Sequence, residues 1–366
     1  MESITESITE SITETIMATI IRMMKSNEKK KTVYNILFIV STCLLCVAML
    51  VLLVVNLLFK KDNKPSSSGA VETGNESVDK WQEGIISYNG KKYLYNNSIK
   101  TYLLLGIDRP GKVTEAENGI SGGQSDAMFL LVENGKKKTM SIIAINRNTM
   151  TNIDVYDEEG NYEGQYQLQI CLQHGYGDGM RVSCLRSVEA VSRLFYNLPI
   201  SGYISMNMDA VPMINDAAGG ITVEVMNDLE NQSLGVSLKK GETVTLSGNE
   251  AYVYIRSRDL DVFDSASMRL EREKQYISAY LEKAGNISKT DPGFAMRVYN
   301  QVEDYLVTSI DFANLAEKAL KYDVNFSNIY TVPGETIMGN QFEEYHVDEK
   351  ALYEMILEVF YDEVEE

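Results

Sequence analysis

Four arginines lie within 17 positions in the stretch from Leu246 to Gln275, and they are the first residues that suggest chemistry: Arg256, Arg258, Arg269 and Arg272. The planar guanidinium group is always charged and makes two parallel hydrogen bonds to two oxygens, a geometry that matches phosphate. The stretch therefore predicts an anion site. The alternative is that the arginines pair with neighbouring acids, because weak ion pairs on helix faces are common. These acids are Asp259, Asp261, Asp264, Glu271 and Glu273.

Two helices are predicted to position the arginines. Ser247, with Glu250 three residues later, has the spacing of a capping box and predicts that a helix starts here and ends near the first two arginines. A second helix, continuing to Gly285, carries the other two arginines three residues apart and so on one face. The two helices would bring the guanidinium groups together.

Charged residues stand beside three predicted strands. Asp108 directly follows the apolar run TYLLLGI, Asp126 opens the next strand, and Arg147 ends a third. Ligands of open α/β sheets bind at the carboxyl ends of strands. Mg²⁺ takes one or two carboxylates and completes its shell with water and phosphates, so we expect a Mg²⁺ (or Mn²⁺) site at Asp108 and Asp126. The alternative for each residue is an ordinary turn or cap.

The alternation of strands and helices predicts an α/β layered domain. Asn89-Gly90 indicates a hairpin, Ser183 is placed to cap a helix, and a C-terminal helix is expected from about Asp348. Five regions follow from composition: a disordered tail at 1–32, a transmembrane anchor at 33–60, a flexible stalk at 61–80, the domain at 81–285, and a C-terminal α/β extension at 286–366 whose role the sequence leaves open.

The anchor rests on an uncharged apolar run of 24 residues, Ile36 to Phe59, which is long enough to span a bilayer and too long for a cleaved signal peptide. Five basic residues precede this run and three follow it, which predicts a cytoplasmic N-terminus and an extracellular C-terminal domain at the cell membrane. A formal charge of −18 argues against nucleic-acid binding. Cys171 and Cys184 leave a disulfide open, and His174 and His346 are expected to be structural.

The order of these motifs resembles the LytR-CpsA-Psr family of cell-wall proteins across about Tyr102 to Glu282. The matching segments are LLLGID with Asp108, QSDAMFLL with Asp126, AINRNTM with Arg147, LQHGYGDG, DAAGGITVEV with Gly219 and Gly220, LSGNEAYVYIRSR, and RLER.

This resemblance implies a mixed central sheet with helices on both faces, preceded by one transmembrane helix. It also implies an extracellular phosphotransferase that moves a glycopolymer from a polyprenyl-pyrophosphate carrier to a peptidoglycan hydroxyl. By position, Asp108 and Asp126 would hold Mg²⁺ (or Mn²⁺). The pyrophosphate would be gripped by Arg147, Arg256, Arg258 and Arg269, with Arg272 supporting substrate binding.

The chain departs from the family pattern at Gln124, Asn148, Ala266 and Glu273, where the family usually has Arg, Asp, Asp and Gln. The metal ligands and the gripping arginines are kept, so a divergent but active transferase is the first interpretation. The second is a membrane-anchored protein that binds a lipid pyrophosphate or regulates the envelope without turnover. The third and weakest is a polyprenyl-pyrophosphate hydrolase.

Overall fold

The computed structural model describes residues 85–324 and 329–364, all of which belong to one compact unit, Ser77–Glu366. The predicted tail, anchor and stalk, residues 1–80, lie outside the described residues. Within the described ranges, none of the helices combines the length and the apolar character needed to cross a bilayer.

Eighteen strands are present in the described residues. They are β1 Ile85–Tyr88, β2 Lys91–Tyr95, β3 Ile99–Ile107, β4 Ser125–Asn134, β5 Thr139–Ala144, β6 Met150–Tyr156, β7 Tyr162–Gln169, β8 Gly202–Asn207, β9 Ile221–Glu224, β10 Leu229–Asn231, β11 Val236–Leu238, β12 Thr243–Leu246, β13 Leu306–Thr308, β14 Asp323–Val324, β15 Tyr330–Thr331, β16 Gly334–Met338, β17 Glu343–Val347 and β18 Tyr361–Val364. The α-helices of the same ranges are α1 Arg181–Leu194, α2 Val211–Ala217, α3 Gly248–Arg256, α4 Ser265–Thr290, α5 Phe294–Val302, α6 Phe312–Lys321 and α7 Glu349–Phe360.

A seven-stranded sheet forms the centre of the domain in the order β13-β8-β3-β4-β5-β14, with β15 also pairing with β5. β3 is antiparallel to β4 and parallel to β8, so the sheet is mixed. The remaining strands form a small sheet in the order β1-β2-β18 and four two-stranded ladders.

Both faces of the central sheet are covered by helices. Successive residues of β3 and β4 point to opposite sides, as pleated strands require. Leu103 and Leu130 pack with residues of α1 and α7 on one side. Tyr102 and Leu131 pack with Leu270 of α4 and with α6 on the other. This confirms the predicted mixed α/β fold with helices on both faces, and it explains why the run TYLLLGI does not alternate in polarity.

Residues 286–366, which the sequence pattern sets apart, complete the same compact unit. β13 pairs with β8 at one edge of the central sheet, and β14 and β15 pair with β5 at the other. β18 pairs with β2, and Phe360 of α7 is fully buried in the main core.

Most local predictions are confirmed, and one cap is wrong. Asn89 and Gly90 both have positive φ between β1 and β2, as a two-residue hairpin turn requires. Ser183 does not cap α1, which begins two residues earlier. The carboxylate of Asp178 accepts hydrogen bonds from the N–H groups of Val182, at 2.9 Å, and Ser183, at 3.1 Å, and so takes the capping role.

Candidate active site

The ends of three neighbouring strands meet at one edge of the central sheet. Ile107 at the end of β3 pairs with Ser125 at the start of β4, so Asp108 and Asp126 lie in adjacent chain segments. The two segments are linked by a hydrogen bond, in which the Gln124 N–H donates to Asp108 Oδ1 at 2.7 Å. β5 runs antiparallel to β4, which brings Arg147, just beyond the end of β5, to the same edge. The structure therefore brings together the residues that the sequence placed at strand ends.

Asp126 is the centre of this cluster, because two arginines bind its carboxylate. Arg147 Nε lies 2.9 Å from Asp126 Oδ1. Arg269 Nη1, from the first turns of α4, lies 3.0 Å from Asp126 Oδ2, and its Nη2 donates to the Asp126 carbonyl at 2.8 Å. The second nitrogen of the Arg147 fork donates to Gln124 Oε1. Buried ion pairs of this kind are held by such additional hydrogen bonds.

Glu273 faces Nε of Arg269, the guanidinium nitrogen that Asp126 does not contact. Both side chains are buried, and Glu273 Oε1 lies 3.3 Å from Arg269 Nε, one helical turn apart. Burial raises the pKa of Glu273 to about 8, because desolvation of the carboxylate outweighs the attraction of Arg269. Burial lowers the pKa of Arg269, but Glu273 and Asp126 more than offset it, so that pKa is raised.

Arg258 lies beside the cluster and has no protein partner in residues 85–324 and 329–364, where it makes neither an ion pair nor a hydrogen bond. Partial burial and the nearby positive charges of Arg147 and Arg269 lower its pKa, and the attraction of Asp126 and Glu343 does not offset them. A half-buried guanidinium without a partner is costly unless an anion joins it. Arg258 is therefore the arginine best placed to receive one.

Arg256 and Arg272 have different surroundings. Arg256 is exposed at the end of α3, with its guanidinium carbon 5.2 Å from the centre of the Tyr252 ring. Arg272 is buried, and its Nε donates to the Tyr254 carbonyl at 2.7 Å while its Nη1 donates to Asn227 Oδ1 at 3.0 Å. A third bond goes to the carbonyl of Ser257. Arg272 thus ties α4 to the end of α3 that carries Arg256 and Arg258.

Asp108 and Asp126 are the two carboxylates of this site that a divalent cation could use together with a phosphorylated ligand, and both oxygens of Asp126 are bound by arginines. Burial raises the pKa of Asp108 and the neighbouring Asp126 carboxylate raises it too, whereas the Gln124 N–H, Arg147 and Arg256 lower it. The residues of the described ranges hold no cluster of three or more metal-ligating side chains. Two carboxylates are the number that Mg²⁺ takes when substrate phosphates and water fill its other positions. A metal site whose ligands all come from the protein would not fit these two residues.

The four departures from the family pattern lie in or around this cluster. Gln124 accepts from Arg147, and Glu273 faces Arg269. Asn148 is buried, and its N–H donates to Asn146 Oδ1 at 2.9 Å. Ala266 is buried in the first turn of α4. The lost Arg at Gln124 makes the cluster less positive, whereas the acid gained at Glu273 has its pKa raised to about 8 by burial and so adds no full negative charge at neutral pH.

Sequence reasoning missed the β16-β17 hairpin, which supports the loop that carries Arg258. Glu343 Oε1 accepts from the Asp264 N–H at 2.7 Å, and Glu343 also acts electrostatically on Arg258. No motif marks Glu343, because its partners are about 80 positions away in the chain.

The histidine of the glycine-rich loop and the two cysteines on either side of the loop have structural surroundings. His174 is buried with Nδ1 3.0 Å from the Gly122 carbonyl oxygen, and burial lowers its pKa to about 4. Cys171 and Cys184 are both buried and free.

The fold and the site define an α/β protein with a buried arginine and carboxylate cluster suited to a phosphorylated ligand. The model of the LytR_cpsA_psr family matches residues 62–359, and the chain belongs to this family.

Two relatives named polyisoprenyl-teichoic acid–peptidoglycan teichoic acid transferase TagU show the extent of the similarity. The one from Bacillus licheniformis is 25% identical over 93% of this chain and 98% of its own length. The one from Oceanobacillus iheyensis is 30% identical over 65% of this chain and 68% of its own length. The crystal structure of protein gbs0355 from Streptococcus agalactiae has the same fold, with a TM-score of 0.58 and 19% identity over 72% of this chain and 86% of that one.

Proposed function

We propose that the protein is a membrane-anchored, extracellular phosphotransferase that moves a glycopolymer from a polyprenyl-pyrophosphate carrier to peptidoglycan. The observation that carries the proposal is Arg258, a half-buried guanidinium beside Arg147 and Arg269 that makes no hydrogen bond or ion pair within the described part of the chain. The relatives' transferase names support the reaction class. A pyrophosphate would supply the negative charge that this group of arginines lacks.

The arginines have different roles in the proposed reaction. Arg147 and Arg269 are fixed by Asp126, so their positions are set before the ligand arrives. Arg258 is free to bind phosphate oxygens, and exposed Arg256 lies on the Asp108 side, where it lowers the pKa of that acid. Phosphoryl transfer requires mainly positioning and neutralisation of charge, which such preorganised donors supply.

In the proposed reaction, the oxygen of an acceptor hydroxyl forms a bond to the phosphorus that bears the glycan. The bond from that phosphorus to the bridging oxygen breaks, and polyprenyl phosphate leaves with the electron pair and takes up the proton that the hydroxyl loses. Asp108 and Asp126 would hold Mg²⁺ (or Mn²⁺), which when bound neutralises phosphate oxygens and polarises them. Arg258 and Arg147 would stabilise the charge that develops on the leaving phosphate.

A second candidate is a protein that binds the lipid pyrophosphate without turnover. It is favoured by one observation, namely that both oxygens of Asp126 are bound by arginines and Glu273 holds the last edge of Arg269. A cation would have to share Asp126 with these arginines. The two candidates agree on lipid-pyrophosphate binding and differ in the product.

The test incubates the full-length chain in detergent with a polyprenyl-pyrophosphate glycan, Mg²⁺ and peptidoglycan. Covalently attached glycan together with released polyprenyl phosphate is the expected result. Lipid that binds but is not converted would show that the protein binds the lipid pyrophosphate without turnover. Free glycan phosphate would show hydrolysis. Asp108→Asn is the matched variant, expected to lose turnover and its response to added Mg²⁺ while still binding the lipid.

The proposed location has its own test. With the anchor at residues 33–60 and the basic residues before it inside, protease added to intact cells degrades the part after residue 62. A domain protected in intact cells and cleaved only after lysis would reverse the orientation.

A further inference from the structure

The β6-β7 hairpin starts three residues after Arg147 and has an outer face that the proposed chemistry does not use. Three cross-strand pairs lie on this face: Asn152 with Gln167, Asp154 with Gln165, and Tyr156 with Tyr162. The opposite face carries Ile153, which is fully buried in the main core. On the outer face Asp154 is buried and pairs with Arg193 of α1, whereas Asn152, Tyr162, Gln165 and Gln167 are exposed.

Side-chain contacts make the outer face an ordered row of polar groups and rings. Gln167 Nε2 donates to Asn152 Oδ1 at 2.8 Å, and Gln165 Nε2 donates to Asp154 Oδ1 at 2.9 Å. The rings of Tyr156 and Tyr162 meet edge to face with centroids 5.5 Å apart. The side chain of Tyr162 is 58% exposed, so its ring is open to a ligand.

The row is close to neutral although the chain is strongly acidic. Asp154 is the one ionisable carboxylate of the three pairs, and Arg193 Nη2 lies 2.8 Å from its Oδ2. Arg186 covers the ring of Tyr156, with its guanidinium carbon 3.3 Å from the ring centre. Amides offer donors and acceptors without charge, and tyrosine offers a rigid amphipathic surface. Such a surface suits a ligand rich in hydroxyl groups and lacking charge.

Anionic partners fit this hairpin poorly. Its tip is acidic and carries Asp157, Glu158, Glu159 and Glu163. Like charges repel a phosphate-rich polymer and the anionic headgroups of a membrane surface. The two basic side chains beside this row, Arg193 and Arg186, are already engaged by Asp154 and by the ring of Tyr156.

The row leads directly to the active site. β7 ends at Gln169, whose Nε2 donates to the carbonyl of Glu343 at 2.8 Å, in the hairpin that supports the Arg258 loop. Two residues later the Cys171 N–H donates to the Arg147 carbonyl at 3.2 Å. The seven residues of β6 span roughly 20 Å at about 3.4 Å per residue. A chain lying along the row would have its end at the arginines.

We propose that the outer face of the β6-β7 hairpin, formed by exposed Asn152, Tyr162, Gln165 and Gln167 with half-buried Tyr156, binds an uncharged stretch of glycan strand and directs its acceptor hydroxyl to the arginine cluster. The inference deepens the proposed transferase function and rests on it. In this arrangement the arginines bind the donor pyrophosphate, and the β6-β7 hairpin brings the acceptor glycan to the same cluster.

The experiment measures co-sedimentation of the full-length chain in detergent with purified peptidoglycan stripped of teichoic acid, without any lipid donor. The variant Tyr162→Ala combined with Gln167→Ala is expected to bind roughly tenfold more weakly, as loss of a ring contact and a hydrogen bond requires. Tyr166→Ala is the matched control. Tyr166 belongs to the same strand and is 53% exposed, but it lies opposite Ile153 on the other face, so its loss leaves binding unchanged.

Two further readouts separate this inference from its alternatives. Binding through the row persists in about 1 M salt, where surface electrostatics are screened, whereas binding through the arginines is lost. Binding of the polyprenyl-pyrophosphate lipid is unchanged in the double variant. Equal sedimentation of the double variant and Tyr166→Ala, or loss of sedimentation in salt, overturns the inference. If the row binds peptidoglycan but no glycan is ever transferred, the proposed function fails and the binding surface stands.

Discussion

Glu273 gives the sharpest test of the electrostatics of the site. The substitution Glu273→Gln keeps the shape of the side chain and removes its ionisation. Burial raises the pKa of Glu273 from its ordinary value of 4.5 to about 8 in the folded protein. The charged groups that act on it are Arg269, Asp126, Arg272 and Arg147, and the attraction of the three arginines does not offset the burial.

The sign of the effect follows from proton binding. Between about pH 4.5 and pH 8 the folded chain keeps the proton on Glu273 and the unfolded chain loses it, so raising the pH favours unfolding. Each pH unit in this window corresponds to about 1.4 kcal/mol, which gives a total on the order of a few kcal/mol. The glutamine variant lacks this slope. Its stability advantage over the parent therefore grows from pH 5 to about pH 8 and is constant above.

The assay is urea denaturation of both proteins at several pH values, followed by a tyrosine or circular-dichroism signal. Glu271→Gln is the control on the same helix. Glu271 is largely exposed and pairs with Lys274 at 2.8 Å, so the control removes a carboxylate of the same helix from an exposed position. Parallel stability curves for the parent and Glu273→Gln would refute the reasoning, because they would mean that Arg269 keeps Glu273 ionised in the folded protein.

Three more outcomes are expected. Arg258→Ala weakens lipid-pyrophosphate binding, measured by titration, roughly ten- to a hundredfold, since one charged hydrogen-bonding group is lost. The thermal midpoint of the variant moves by only a few degrees. A large fall in the midpoint with unchanged binding would mean that Arg258 is structural. Arg272→Lys lowers the free energy of unfolding by about 1–3 kcal/mol, because buried carbonyls lose donors, whereas exposed Arg256→Lys changes it little. The His174 ring, with its pKa lowered to about 4 by burial, shows no NMR titration near pH 6.5, and its contribution to stability is lost as the pH falls from 6.5 to about 4.

Local sequence signals predicted most elements that build the site. The capping box at Ser247 is formed as expected, with the Ser247 N–H donating to Glu250 Oε2 at 2.7 Å. The apolar run before Asp108 is a strand covered on both faces. Such signals depend on residues that are only a few positions apart, so they can be recognised from the sequence.

The hairpins β6-β7 and β16-β17 were not predicted, because their strands mix polar and apolar residues without clear alternation. Their pairing is decided by what they cover. Ile153 of β6 enters the main core, and Glu343 of β17 holds the loop that carries Arg258. Tertiary contacts of this kind override weak local propensity.

The sequence by itself determined that several arginines and two strand-end aspartates exist, in an order that places the chain in its family. Only the tertiary structure decided what each arginine does. Arg269 and Asp126 are 143 positions apart, and Arg272 binds Asn227 across 45 positions. Spacing along a helix shows which side chains share a face, but the partner of a buried charge is set by whichever distant segment packs against that face. For this reason half-buried Arg258 and exposed Arg256 are left for the ligand, whereas Arg272 holds the structure together.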